Sequence, residues 1–199
     1  KPQGAPAGSL ILLAGGDGYL GIGPNGSFAR LKGNQLVRTR AAYAARGFAV
    51  LVPDLGVDLS AAVAFMAKIK RPVTVVGTSR GTQRAAEGLA QGAQPDALVL
   101  TSGFLSPQSG QGVHRSVIAL MGSPARLPRT LVIHHRQDSC RFTLPSGVEP
   151  FVKWSGGKAK VVWLDGGANT GDACEARAHH GFNGLDAQVV EAVSAFARR

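Results

Sequence analysis

The feature that most constrains the fold is a regular alternation of short, wholly apolar segments with segments of helical periodicity. Strands are predicted over residues 9–14, 48–52, 72–76, 97–101, 130–134 and 160–164. Helices are predicted over 34–46, 58–70, 80–91, 147–154 and 186–198, with a short one near 113–121. Strands without polar alternation are buried on both faces, which is typical of parallel sheets covered by helices. We therefore predict a doubly wound α/β fold with a mostly parallel sheet of about six strands.

The organisation along the chain indicates a single unit. We find no internal repeat and no linker, so residues 1–199 are predicted to form one domain. Residues 1–8 are expected to be a loose leader, and 102–129 form a long connection rich in Gly, Pro and Ser. No stretch of about 18 apolar residues occurs, so no transmembrane segment is predicted.

The charge is strongly positive but dispersed. The formal net charge is +10, from 22 Lys and Arg against 12 Asp and Glu. A basic chain can bind nucleic acid or acidic ligands, but here the cations are scattered, with no zinc-finger spacing and no basic platform interleaved with aromatic residues. We therefore interpret the charge mainly as solvation and predict no nucleic-acid partner.

A tight turn directly after the third strand is the strongest candidate for chemistry. Residues 77–81 read GTSRG, a G-x-S-x-G pattern with an apolar strand in front and an Ala-rich helix behind. Such a turn lifts the Ser79 hydroxyl clear of the sheet at a helix amino end, where developing negative charge is stabilised. The alternatives are a glycine turn that merely connects strand to helix, or one that cradles a phosphate.

A serine nucleophile needs a base, and the base needs an acid that orients it. Asp138 follows the strand at 130–134, and His180 lies in the loop after the last strand. Ligand sites in parallel sheets lie beyond the carboxyl ends of the strands, so the three side chains are predicted to meet there. Asp165 is an alternative acid and His179 an alternative base.

Four segments carry a resemblance to a known family: LLAGGDG, VVGTSRGT, VIHHRQD and HHGF. They resemble the α/β-hydrolases, particularly the small dienelactone-hydrolase-like and esterase-like members, over about residues 9–196. The resemblance implies Ser79 as nucleophile, Asp138 as acid and His180 as base. Dienelactone hydrolases proper carry cysteine at the position of Ser79. This chain also lacks two amino-terminal strands that larger members of the family have. A minimal α/β-hydrolase core without a full cap domain is therefore expected.

The resemblance also implies an oxyanion hole of two backbone N–H groups. One belongs to Arg80, and the other is expected to be that of Asp17, with its carboxylate turned away. The Arg80 and Arg84 side chains are expected either to pair with an acidic group of the substrate or to form salt bridges at the rim.

The two cysteines lie close to the predicted acid and base. If Asp138 and His180 meet, Cys140 and Cys174 come close as well, and a disulfide is predicted, with two separate buried thiols as the alternative. The chain begins without methionine, as a mature exported protein does, although a truncated chain would begin in the same way. We therefore expect a periplasmic or secreted location.

The function predicted from these residues is hydrolysis of an ester or related acyl bond through an acyl-enzyme. A small-molecule substrate is expected, either neutral or with an anionic group. Neither cofactor nor metal is implied. His134 and His135 are expected to pack near the acid loop rather than bind a metal ion. Two alternatives remain: a non-catalytic binding protein on the same fold, and an acyltransferase with the same three residues.

Overall fold

The sheet is the centre of the molecule. The computed structural model describes residue 2 and residues 4–199, apart from the side chain of Val113; residues 1 and 3 of the expected leader lie outside the described residues. The strands are β1 Gly8–Leu13, β2 Phe48–Leu51, β3 Val73–Thr78, β4 Ala97–Thr101, β5 Arg129–His135 and β6 Ala159–Leu164. They lie in the order β2-β1-β3-β4-β5-β6, and every neighbouring pair is parallel. The predicted doubly wound α/β architecture is confirmed.

In residues 4–199, six α-helices connect and cover the strands. They are α1 Gln35–Ala45, α2 Leu59–Ile69, α3 Arg80–Ala90, α4 Val117–Met121, α5 Val148–Trp154 and α6 Asp186–Ala197. Two of their starts are fixed by the side chains that precede them: Asn34 accepts from the N–H of Leu36, and Asp58 accepts from that of Ala61. Short 3₁₀ turns lie at Pro107–Ser109, Val113–Arg115, Pro124–Arg126, Pro145–Gly147 and His179–Gly181.

Helices lie on both faces of the sheet because successive strand residues point to opposite sides. On β1, Leu10 and Leu12 pack in the core under α1 and α6, whereas Ile11 and Leu13 pack in the core under α2, α3 and α5. The residues of β3 and β4 are buried throughout, as expected for central strands of a parallel sheet.

The strand order creates a crevice beside β1. The chain runs from β1 out to the edge strand β2 and then returns to β3 on the other side of β1. The connections after β1 and β3 therefore depart in opposite directions, which opens a crevice at the carboxyl ends of these two strands. The predicted functional turn at 77–81 follows β3 at this point.

The long connection between β4 and β5 contributes α4, which packs against α3, and three of the short 3₁₀ turns. It inserts no additional sheet within residues 102–129. No helix in the described part of the chain has the length and apolarity needed to cross a bilayer.

Candidate active site

Ser79 occupies a strained turn between β3 and α3. The strand continues through Thr78, two residues beyond the predicted end, so Ser79 follows it directly. Its backbone has φ 52° and ψ −124°, a region that residues with a side chain seldom adopt. The Ser79 N–H donates to the carbonyl of Thr101 on β4 at 3.0 Å, which holds the turn against the sheet.

Two glycines make this turn sterically feasible. A Cβ atom on Gly77 would lie 2.6 Å from the carbonyl oxygen of Gly81, and one on Gly81 would overlap the carbonyl oxygen of Leu13. A side chain at position 77 is thus excluded by the backbone of Gly81, and one at position 81 by the backbone of Leu13, rather than by the serine. Because the strand, the turn and the helix pack this closely, the hydroxyl of Ser79 is left half-buried on the wall of a cavity.

Asp138 and His180 form a buried pair at the same cavity. Asp138 follows β5, His180 lies in the His179–Gly181 turn, and His180 Nδ1 is 3.0 Å from Asp138 Oδ2. The other carboxylate oxygen accepts from the N–H of Cys140 at 2.9 Å. Asp165, the alternative acid, is exposed and pairs with Arg136 instead. The structure therefore brings Asp138, and not Asp165, to the histidine.

Thr143 is a third member of this cluster that sequence reasoning did not identify. Its buried hydroxyl donates to Asp138 Oδ2 at 3.1 Å and lies 2.9 Å from His180 Nδ1. On the opposite side, the hydroxyl of Ser102 donates to the carbonyl oxygen of His180 at 2.8 Å. These contacts hold the carboxylate of Asp138 and both the ring and the backbone of His180 in place.

Ser79 and His180 line one cavity of about 350 Å³. The Ser79 hydroxyl makes no hydrogen bond with His180 or any other described residue. Hydrogen bonds between nucleophile and base are often long before substrate binds, so the arrangement is compatible with their pairing during a reaction. The disulfide-bonded Cys140 and Cys174 and the aromatic residues Phe104 and Phe142 also line this cavity.

His179 faces away from this cavity. Its ring stacks on that of His135, with centroids 4.0 Å apart and planes 11° apart, and its Nδ1 is 3.3 Å from the carbonyl oxygen of Gln137. His135 is held in turn, since its Nδ1 accepts from the N–H of Gln137 and its Nε2 donates to the carbonyl of Gly166. His179 and His135 thus brace the loops behind the site.

The turn after His180 depends on Gly181 and Phe182 in different ways. The left-handed conformation belongs to Phe182, with φ 53°, and not to Gly181. Gly181 is required for a different reason: a Cβ atom there would lie 2.5 Å from Cα of Ala176. Phe182 is fully buried in the core under α1 and α6, so it anchors the turn.

The loop after β1 places two glycines on the wall of the cavity. Gly15 and Gly16 line the cavity with Ser79, and a Cβ atom on Gly15 would lie 3.1 Å from the Cβ of Ser79. Asp17, the predicted donor, does not line it, because Gly16 adopts φ 60° and turns the chain away. The Asp17 carboxylate points outward, as expected, and pairs with Arg30 at 2.9 Å. Gly16, and not Asp17, therefore lies on the cavity wall.

The structure joins Cys140 and Cys174 in a disulfide. Both cysteines line the cavity of Ser79, so the bridge ties the loop that carries Asp138 to the loop that leads to His180. The cysteines are 34 residues apart in the sequence, and closing a loop of this length stabilises the fold by about 3–4 kcal/mol through the entropy of the unfolded chain.

His134 is a second buried histidine behind Asp138. Its ring stacks on Trp163, and neither nitrogen has a hydrogen-bond partner among the described residues. Burial lowers the pKa of His134 to about 4, although the Asp138 carboxylate, 3.9 Å from its Nδ1, favours the protonated form. His134 is therefore neutral near pH 7. No group of three or more His, Cys, Asp or Glu side chains in residues 4–199 is arranged to hold a metal ion.

We expect the free energy of unfolding to fall as the pH drops from about 6.5 to about 4. In this window unfolded His134 binds a proton that folded His134, with its pKa of about 4, does not. The full shift corresponds to about 3 kcal/mol. Urea unfolding at pH 7 and pH 4 should show a smaller acid loss in His134→Leu than in the unsubstituted protein. Equal losses in both proteins would contradict this assignment.

No protein-family model and no curated protein matches the sequence. Solved structures do match the fold. The esterase domain of a Rhodothermus marinus protein is 18% identical with a TM-score of 0.67, over 98% of this chain and 88% of that one. A Thermus thermophilus protein is 18% identical with a TM-score of 0.65, over 100% and 91%.

A third structure, an esterase from Exiguobacterium antarcticum, is 12% identical with a TM-score of 0.64, over 98% of this chain and 93% of that one. At such identities the likeness establishes the fold. These proteins share the parallel sheet and its flanking helices over nearly the whole chain. The chain therefore has the α/β-hydrolase fold.

Proposed function

We propose that the chain is a serine hydrolase that cleaves an ester or a related acyl bond. The observation that carries the proposal is the buried 3.0 Å hydrogen bond between His180 and Asp138, beside a cavity that Ser79 lines in a strained turn. A nucleophile after β3, an orienting acid after β5 and a base after β6 are the parts that acyl transfer requires. The esterases of the same fold support this class of reaction.

In the proposed mechanism, the hydroxyl oxygen of Ser79 attacks the carbonyl carbon while His180 Nε2 accepts the hydroxyl proton. Asp138 accepts the N–H at Nδ1, which fixes the tautomer that leaves Nε2 free and stabilises the imidazolium. Collapse of the tetrahedral intermediate breaks the bond to the alcohol, which leaves with the proton from Nε2. Water then attacks the acyl-enzyme by the same route and releases the acid.

The developing oxyanion is proposed to accept from two backbone N–H groups. One is that of Arg80, at the amino end of α3, where the helix dipole also favours negative charge. The other is that of Gly16, one residue before the Asp17 N–H expected from the sequence. No described residue accepts a hydrogen bond from either N–H, so both are available to a substrate.

Two other functions fit the same residues. An acyltransferase would use the same acyl-enzyme and differ only in the acceptor. A non-catalytic binding protein would retain the cavity without turnover. The strained conformation of Ser79 favours catalysis over binding, because strain of this kind costs about 1–3 kcal/mol and a binding site has no need of it.

Rapid-mixing kinetics with 4-nitrophenyl esters of short and long acids test the proposal. We expect a burst of one nitrophenol per protein followed by slower turnover, because acylation precedes hydrolysis of the acyl-enzyme. Rates that rise with an added alcohol would favour the acyltransferase. The absence of any nitrophenol release would contradict hydrolysis and favour the non-catalytic binding protein.

We also propose a periplasmic or secreted location. The disulfide between Cys140 and Cys174 supports it, because such bonds persist in oxidising compartments. Cell fractionation tests the proposal: the protein should be recovered outside the cytoplasm with no free thiol.

A further inference from the structure

A second cavity, here called the groove, adjoins the site. It measures about 830 Å³ and lies between the loop before α2, the exposed side of α3 and the turn at Val113–Arg115. Four residues line both the groove and the cavity of Ser79: Gly16, Arg80, Phe104 and Phe142. Because their walls are shared, a molecule bound at Ser79 can extend directly into the groove.

Every acidic side chain that lines the groove already has a partner. Asp17 pairs with Arg30 at 2.9 Å, Glu87 pairs with Arg115, and Asp58 accepts from the first turn of α2 at 2.9 Å. These carboxylates are therefore occupied by donors of the protein itself.

One cation of the groove is different. Arg115 is held by Glu87, and Arg84 donates to the carbonyl oxygen of Ala14. The guanidinium of Arg80 is exposed, and it makes no ion pair and no hydrogen bond within residues 4–199. It belongs to the residue directly after Ser79 and lines both cavities. A guanidinium so placed has five free donors, which match a carboxylate in a bidentate pair.

The other unpaired charge near Ser79 has the opposite sign. Glu175 is exposed, lines the cavity of Ser79 but not the groove, and makes no ion pair in the described part of the chain. An anionic group of a ligand is therefore repelled on the side of Glu175 and attracted on the side of the groove.

The wall shared by the groove and the cavity of Ser79 is aromatic. The rings of Phe104 and Phe142 stack with centroids 6.0 Å apart, and both rings line the passage from one cavity to the other. Such a wall suits a short apolar spacer between the scissile bond and a charged end.

We propose that the substrate is a carboxylate-bearing ester whose charged half lies in the groove, where Arg80 binds the carboxylate. This inference rests on the proposed hydrolysis at Ser79. It adds a positioning role for the side chain of Arg80 to the oxyanion role of its N–H.

Matched ester pairs test the proposal. For the acyl half, the pair is 4-nitrophenyl hydrogen glutarate and its neutral methyl ester. For the alcohol half, it is 4-acetoxybenzoate and its methyl ester. The ratio of kcat/KM for the anionic ester to kcat/KM for the neutral ester is the readout, because effects of a variant on the oxyanion hole cancel in it. One of the two pairs should favour the anionic ester by about tenfold at low salt.

Arg80→Gln should abolish this preference, whereas Arg80→Lys, which retains the charge without the planar fork, should keep part of it. Lys32→Gln is the matched control. Lys32 is also exposed and lines neither cavity, and its replacement by Gln removes the same charge as Arg80→Gln. In Lys32→Gln the ratio of the two kcat/KM values should therefore stay within about twofold of the starting value.

A preference that survives in Arg80→Gln, or that Lys32→Gln reduces equally, would overturn the assignment to Arg80. The absence of any preference in both pairs would overturn the substrate class. Failure of the underlying function is distinguishable, since neither the neutral nor the anionic esters would then be hydrolysed.

Discussion

Replacing Ser79 with alanine is expected to lower kcat/KM for ester hydrolysis by at least about four orders of magnitude. The hydroxyl is the proposed nucleophile. No other described residue with a hydroxyl group both lines the cavity with His180 and has a positive φ. Stability should change little, because alanine keeps the Cβ atom and the same positive φ, and because the hydroxyl has no hydrogen-bond partner to lose. Steady-state kinetics and thermal unfolding measure the two effects.

A second serine provides the control for this substitution. Ser194 lies buried on α6, and its hydroxyl also has no partner among the described residues. Ser194→Ala should retain full activity. Residual hydrolysis in Ser79→Ala above about one hundredth of the starting rate would contradict the assignment of the nucleophile.

The adjacent histidines give the second large effect. His180→Ala should lose activity nearly as completely as Ser79→Ala, since nucleophile and base act as a unit. His179→Ala should keep a substantial fraction, because the His179 ring stacks on His135 behind the site and does not line the cavity. The expected difference between the two variants is at least about a hundredfold in kcat/KM.

Both histidine variants are expected to stay folded, so their activities can be compared directly. Asp138 retains its hydrogen bonds from Thr143 and Cys140 in His180→Ala, so its carboxylate remains partnered and the protein should stay folded. Circular dichroism and thermal unfolding verify this for both variants. If His179→Ala is the inactive variant, the base is His179 and the placement of the loop is wrong.

The sequence predicted the layers of the fold because each of its strands is apolar along its whole length. A strand such as β4 has one stable environment, between two layers of helices, so its position in the sheet follows from its composition. The strand ends were less accurate. The glycine and threonine after the third apolar segment, and His135 after the fifth, continue their strands, because ladder hydrogen bonds do not require apolar side chains.

The sequence predicted those members of the candidate site that can be identified from their residue type and their position in the chain. Ser79 is marked by its two flanking glycines, and Cys140 and Cys174 by their places near the acid and the base. The second oxyanion donor is less well defined by the sequence, since three consecutive small or turn-forming residues permit a shift of one position; in the structure Gly16 lines the cavity and Asp17 does not.

Contacts between loops carried no signal in the sequence. Thr143 reaches Asp138 and His180 because the segment after β5 folds back on itself, and a threonine five residues after an aspartate does not indicate this. Phe104 and Phe142 meet from connections that are distant in the chain. The groove therefore became visible only in the assembled structure.

Labelling with a fluorophosphonate probe, followed by peptide mapping, tests the central claim most directly. The probe phosphonylates a serine only when a base and an oxyanion hole activate it, so it reports the assembled site independently of the substrate. The folded protein should gain one phosphonyl group, located on Ser79, and Ser79→Ala should gain none. A folded protein that takes up no label, or a label that persists in Ser79→Ala, would contradict the account.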